Sequence, residues 1–115
     1  MELLKQTEIL REHLEYLRDL FEHSDPPDNV KDRSFFEKVK AGTTPIFELT
    51  ATWEEDALKL VKEKRLTVHP QQITSTKENM ELLLMHSYYK DARRKRYMEL
   101  YNSVVYIYDQ LIRDL

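Results

Sequence analysis

A single glycine, Gly42, stands among 115 residues. At ordinary usage of about 7 %, a chain of this length holds roughly eight. Glycine reaches positive φ without steric cost and lets backbone approach a phosphate closely. Its scarcity argues against hairpin-rich β folds, P-loops, GxGxxG dinucleotide turns and GxSxG nucleophile elbows. Cysteine is absent, which removes disulfides, thiolate metal sites and cysteine nucleophiles. A ligand site here must be built from side chains and helix ends, and the expected fold class is all-α.

The apolar residues support that expectation. Leu3, Leu10, Leu14, Leu17 and Phe21 recur at helical spacing, with Thr7 filling a gap, so residues 2–23 read as an amphipathic helix. Ser24-Asp25-Pro26-Pro27-Asp28-Asn29 stops it. A short extra helix is expected in the connector over Phe35–Ala41, opened by a Ser34/Glu37 capping box and closed by Gly42 as a left-handed C′ residue. Thr44-Pro45 then reads as N-cap and N1 of a second long helix carrying Ile46, Leu49, Trp53, Ala57 and Leu60. His69-Pro70 opens a third. From Pro70 to Leu115 neither glycine nor proline occurs. One helix of that length would run about 69 Å, against about 30 Å for the first two. A break near Tyr89–Asp91 is therefore expected, with Asp91 as N-cap of the fourth helix. Four helices of similar length, each with one apolar face, bury those faces as a bundle. The reading is one domain, residues 1–115, folded as an up-down-up-down four-helix bundle.

Particular residues also resemble a known family. The stretches are Phe35-Phe36-Glu37, Trp53 with Ala57-Leu58, His69 with Gln72-Ile73, and Asn79 followed by Ser87-Tyr88. Lys95-Arg96-Tyr97 and Ser103-Val104 with Tyr106 complete the set. In this order and spacing the chain resembles the YppE-like family of small proteins from Bacillus relatives. The resemblance covers about two-thirds of the chain. It implies a four-helix bundle in a bacterial protein and supplies no catalytic residues to carry over.

Metal and hydrolytic chemistry find little support. Di-iron bundles use Glu-x-x-His pairs, and the residues three before His13, His23, His69 and His86 are all leucine. His69 and His86 are about 25 Å apart along one helix. No cofactor, metal site or catalytic residue is expected. Asn79, set among leucines, is read as a structural hydrogen-bond partner of the Trp53 indole or of a tyrosine hydroxyl. No stretch approaches the roughly 20 apolar residues of a membrane span. The N-terminus lacks the apolar core of a signal peptide, so the expected location is cytoplasmic.

The sharpest anomaly is Lys90-Asp91-Ala92-Arg93-Arg94-Lys95-Arg96, five cations and one carboxylate in a chain of net charge −3. Cations at a helix N-terminus oppose its dipole by about 0.3–1 kcal/mol each when exposed. A broken local rule marks a candidate for function. Folding the helices back on one another brings this cluster to one end of the bundle, with two helix N-termini and a set of aromatics including Phe47. The candidate binding surface is Trp53, Tyr88, Tyr89, Lys90, Arg93, Arg94, Arg96 and Tyr97. Three readings compete. Asp19, Glu22, Asp25 and Asp28, from the end of the first helix, can neutralise the arginines. An anion or a single nucleic-acid strand can bind the arginines and stack on the aromatics. A protein partner can dock there. Six of the seven tyrosines lie between Tyr88 and Tyr108, and exposed tyrosine favours interfaces. The leading expectation is a non-enzymatic, protein-binding or adaptor module, monomeric or homodimeric and without a membrane. Binding of an anion or single strand around Arg93–Arg96 is the alternative.

Overall fold

The computed structural model describes residues 2–29 and 31–115. Four helices follow one another: α1 (Glu2–His23), α2 (Arg33–Lys62), α3 (Pro70–Tyr89) and α4 (Arg94–Asp114). They form an up-down-up-down bundle. Thr7 meets Trp53 and Tyr16 meets Tyr88. Arg11 pairs with Asp109, Phe21 stacks on Tyr97, and Ser87 reaches Tyr97. Consecutive helices are therefore antiparallel, and α4 returns beside α1. The backbones of α1 and α3 touch across the centre. Those of α2 and α4 stay apart and meet through side chains such as Trp53 and Tyr108.

The α1 stripe is buried as its spacing requires: Leu3, Thr7, Leu10, Leu14, Leu17 and Phe21 all lie inside, joined by Gln6. Pro70 does sit at the start of α3, where its missing N–H costs nothing. Gln72 accepts a hydrogen bond from the His69 backbone N–H at 2.8 Å and locks that entry.

The connector differs from the expectation. No separate short helix precedes Gly42; α2 is continuous for 30 residues and carries Gly42 and Pro45 within it. Its N-cap is Asp32, which accepts the Ser34 N–H at 2.7 Å, in place of a Ser34/Glu37 box. The buried positions explain the continuity. Val39, Thr43, Thr50, Trp53 and Ala57 keep helical spacing straight through the supposed break. Pro45 removes the donor for the Ala41 carbonyl, and both residues face solvent, which leaves that carbonyl open to hydration. At 1.5 Å per residue α2 runs about 45 Å, close to the 48 Å long axis of the molecule.

Gly42 is not left-handed. Among the described residues, those with positive φ are Lys64 (φ 59°) and Lys90 (φ 54°). Gly42 instead gives room: a Cβ there would overlap the Tyr88 hydroxyl and lie 3.0 Å from its Cζ. The α3–α4 break falls where expected, but Arg93 is the N-cap of α4. Asp91 lies outside the helix, its carboxylate 2.6 Å from His86 Nδ1.

Candidate functional site

The basic end of the bundle forms where α1 finishes, α2 and α4 begin and α3 turns over. Lys90, left-handed at the end of α3, donates its N–H to the His86 carbonyl at 2.8 Å and turns the chain within four residues. Two of the five cations of this turn are answered from the end of α1 and the residues just after it. Arg94 lies 2.8 Å from the Glu22 carboxylate, and its Nε donates to the same group at 2.9 Å. Lys90 Nζ reaches Asp25 at 3.5 Å. Arg96 pairs loosely with Glu99 of its own helix at 3.8 Å. Such exposed pairs stabilise by about 0–1 kcal/mol each. Their larger effect is to set carboxylates among the cations. Arg93 and Lys95 are exposed and make no ion pair among the described residues.

The aromatics expected beside these cations divide. Trp53 is wholly buried and lies at the opposite half of the bundle, level with Thr7 and Tyr108. Tyr108 is 15 residues past Arg93, about 22 Å along α4. Trp53 therefore leaves the candidate surface. Its indole donates to Thr7 Oγ1 at 3.0 Å, not to Asn79, while Thr7 gives its own proton to the Leu3 carbonyl at 2.7 Å. Tyr97 leaves as well. Its ring is buried and stacked 3.9 Å from Phe21. Ser87 Oγ donates to the Leu83 carbonyl at 2.6 Å, so the Tyr97 hydroxyl must donate to Ser87 at 2.7 Å. Burial pushes the Tyr97 phenol up to about 12. Tyr88 is buried above Gly42, and burial with the neighbouring Tyr16 hydroxyl raises it to about 12. Tyr89, edge-on to Phe35 at 5.3 Å, is half-buried. Of the expected surface, Tyr89, Lys90, Arg93, Arg94 and Arg96 stay accessible, and the exposed Lys95 joins them.

A second concave surface was not visible in the pattern of apolar residues. Between the outer faces of α3 and α4 runs a groove of about 500 Å³. Its walls are Gln71, Gln72, Ser75, Thr76 and Asn79 on α3, and Asn102, Ser103, Tyr106 and Ile107 on α4. None is charged, in a chain where 34 % of residues are. Asn79, read as a partner of the Trp53 indole or of a tyrosine hydroxyl, is half-buried and lines this groove instead. Gln71-Gln72, Thr74-Ser75-Thr76 and Asn102-Ser103 were the available signal, being polar yet uncharged in a charge-rich chain. Tyr106 is 61 % exposed. Among the described residues no three histidine, aspartate or glutamate side chains converge on a point that could hold a metal. No described helix is long and apolar enough to cross a membrane.

Comparison with known proteins agrees with this architecture. Residues 7–115 match a family described as a bacterial domain of unknown function, DUF1798. The uncharacterised protein YppE of Bacillus subtilis strain 168 is 32 % identical over 117 residues, covering 97 % of this chain and 94 % of YppE. The crystal structure of YppE superposes with a TM-score of 0.85 at 30 % identity, covering 98 % of this chain and 91 % of that one. Its solution structure matches with a TM-score of 0.85 and 30 % identity, covering 99 % and 92 %.

Proposed function

We propose that this chain, which belongs to the DUF1798 family of bacterial domains, is a non-enzymatic, cytoplasmic module that binds an acidic face of a partner protein at the start of α4. The observation that carries this reading is the pair Arg93 and Lys95. They are exposed and make no ion pair among the described residues, while Arg94 between them and Lys90 before them are tied to Glu22 and Asp25. Unpaired cations at a helix N-terminus cost stability, and a carboxylate-bearing partner would offset that cost. Tyr89, half-buried against Phe35, ends α3 four residues before Arg93.

Charge reversal at Arg93→Glu with Lys95→Glu tests the reading. The helical circular-dichroism signal should stay unchanged, and a partner captured from the native cell at low salt should be lost. Undiminished recovery of that partner by the double variant refutes it.

The alternative, an anion or single strand at the same end, must accommodate Glu22 and Asp25 among the cations. It predicts salt-dependent binding of an oligothymidine that weakens with Arg96→Ala. Docking of an acidic protein predicts no such binding.

A further inference from the structure

We infer that the α3–α4 groove holds an extended, uncharged peptide segment of another protein, by pairing the side-chain amides of Asn79 and Asn102 with its backbone. This rests on the protein-binding reading but uses a surface away from the basic end.

The hydrogen bonds of the groove lead to this occupant. Some polar groups are spent internally. Gln72 Oε1 accepts from the His69 N–H, Thr76 Oγ1 donates to the Gln72 carbonyl at 2.7 Å, and Gln71 Nε2 donates to Ser75 at 3.2 Å. Asn79, Asn102, Ser103 and Tyr106 make no side-chain hydrogen bond with other described residues, yet they line one groove from both sides. A carboxamide carries one acceptor and two donors. It therefore answers the N–H and C=O of a peptide unit together. Two carboxamides on facing helices, one half-exposed and one exposed, are placed to hold a strand between them.

Charge and dimensions narrow the occupant. With no ionised side chain in its walls, the groove offers no countercharge to a phosphate or a carboxylate, and its side-chain amides suit an uncharged polar occupant. From Gln71 to Asn79 is about 12 Å along α3. At about 3.3 Å per extended residue that accommodates about four residues. Tyr106, 61 % exposed at the wall, offers a rigid ring with a polar tip, a common anchor for protein surfaces. A polar peptide of small or amide-bearing residues satisfies all of these.

The test uses the full chain and a phage-displayed library of random dodecapeptides. Enriched sequences should share about four consecutive uncharged residues. A synthetic copy, acetylated and amidated, should shift the NMR amide signals of 71–79 and 102–107. Asn79→Leu and Asn102→Leu should each weaken its affinity about tenfold while leaving the circular dichroism unchanged. N-methylation of the two central backbone amides of the peptide should abolish binding. Arg93→Glu with Lys95→Glu should leave it intact, which separates failure of this inference from failure at the basic end. Absence of enrichment, enrichment of peptides charged at their centre, shifts elsewhere in the bundle, or indifference to N-methylation would each overturn it.

Discussion

The Tyr88 hydroxyl occupies the space that a side chain at position 42 would need. Gly42 thus keeps α2 close to α3 at one point, and its lack of a side chain matters more than its backbone freedom. In an ordinary helix interior, alanine in place of glycine stabilises by roughly 0.5–1 kcal/mol. Here Gly42→Ala should instead destabilise by about 1–3 kcal/mol, the usual range for overpacking. Removing the hydroxyl as well, in Gly42→Ala with Tyr88→Phe, should recover most of that loss, leaving only the tight approach to Cζ. Urea unfolding of the two variants decides it. A stabilised Gly42→Ala single variant would contradict the contact.

The fold was legible where one residue type forces one outcome. Leu3 to Phe21 could bury only as a helical stripe, and Pro70 could only open a helix. The connector was misread because Gly42 and Pro45 are strong local breakers, and their signal was set against Val39, Thr43 and Thr50, whose period crosses both. Tertiary burial outweighed local propensity. The basic cluster was legible as charge, and helical spacing already argues against Trp53 and Tyr97 as part of its surface. Both lie on core stripes, and their size drives them inward. The α3–α4 groove left only a negative signal, an absence of charge at Gln71–Thr76 and Asn102-Ser103. That signal becomes a surface only when two helices set it side by side.

Trp53 depends on a single hydroxyl. Thr7 Oγ1 gives its proton to Leu3 and uses its lone pair to accept the indole N–H. Thr7→Val keeps the volume and strands a buried donor, so unfolding free energy should fall by about 1–3 kcal/mol. Thr7→Ser should lose less, because it keeps the acceptor. As the chain has one tryptophan, the indole emission spectrum reports the change directly. Equal stability of the Val and Ser variants would refute the assignment.

Acid should weaken the fold in two separate windows. Burial holds the His13 imidazole below its ordinary 6.5, and its Nε2 is buried without a partner. The unfolded chain therefore binds that proton first. Stability is fully present above about pH 6.5 and declines as pH falls through the ordinary histidine range. Asp114 is held low chiefly by the Thr67 N–H at 2.9 Å, with the Thr67 hydroxyl adding at 2.8 Å. Its contribution is present above the ordinary aspartate range and is lost as pH falls through it. His13→Gln should flatten the dependence of the urea midpoint between pH 7 and 5.5 and leave the lower window in place. Thr67→Val should reduce the lower window alone. An unchanged slope in His13→Gln would show that another group governs the upper one.

The C-terminus of α2 lacks the residue that its geometry favours. The Arg65 N–H reaches the Leu60 carbonyl at 2.9 Å and the Lys64 N–H reaches the Val61 carbonyl at 2.9 Å, the paired bonds of a Schellman motif. Lys64 holds the left-handed position at φ 59°, where an L side chain costs about 1–2 kcal/mol. Glycine avoids that cost but adds freedom to the unfolded chain, which returns roughly 0.5–1 kcal/mol of it. Lys64→Gly should therefore raise unfolding free energy by about 0.5–1 kcal/mol and raise the melting temperature by a few degrees. Lys64→Ala separates conformation from charge: it removes the same ammonium near the helix end but keeps a Cβ in the left-handed region. It should give no gain. Equal stabilisation by glycine and alanine would mean that the charge at 64, not the backbone, sets the stability of this turn.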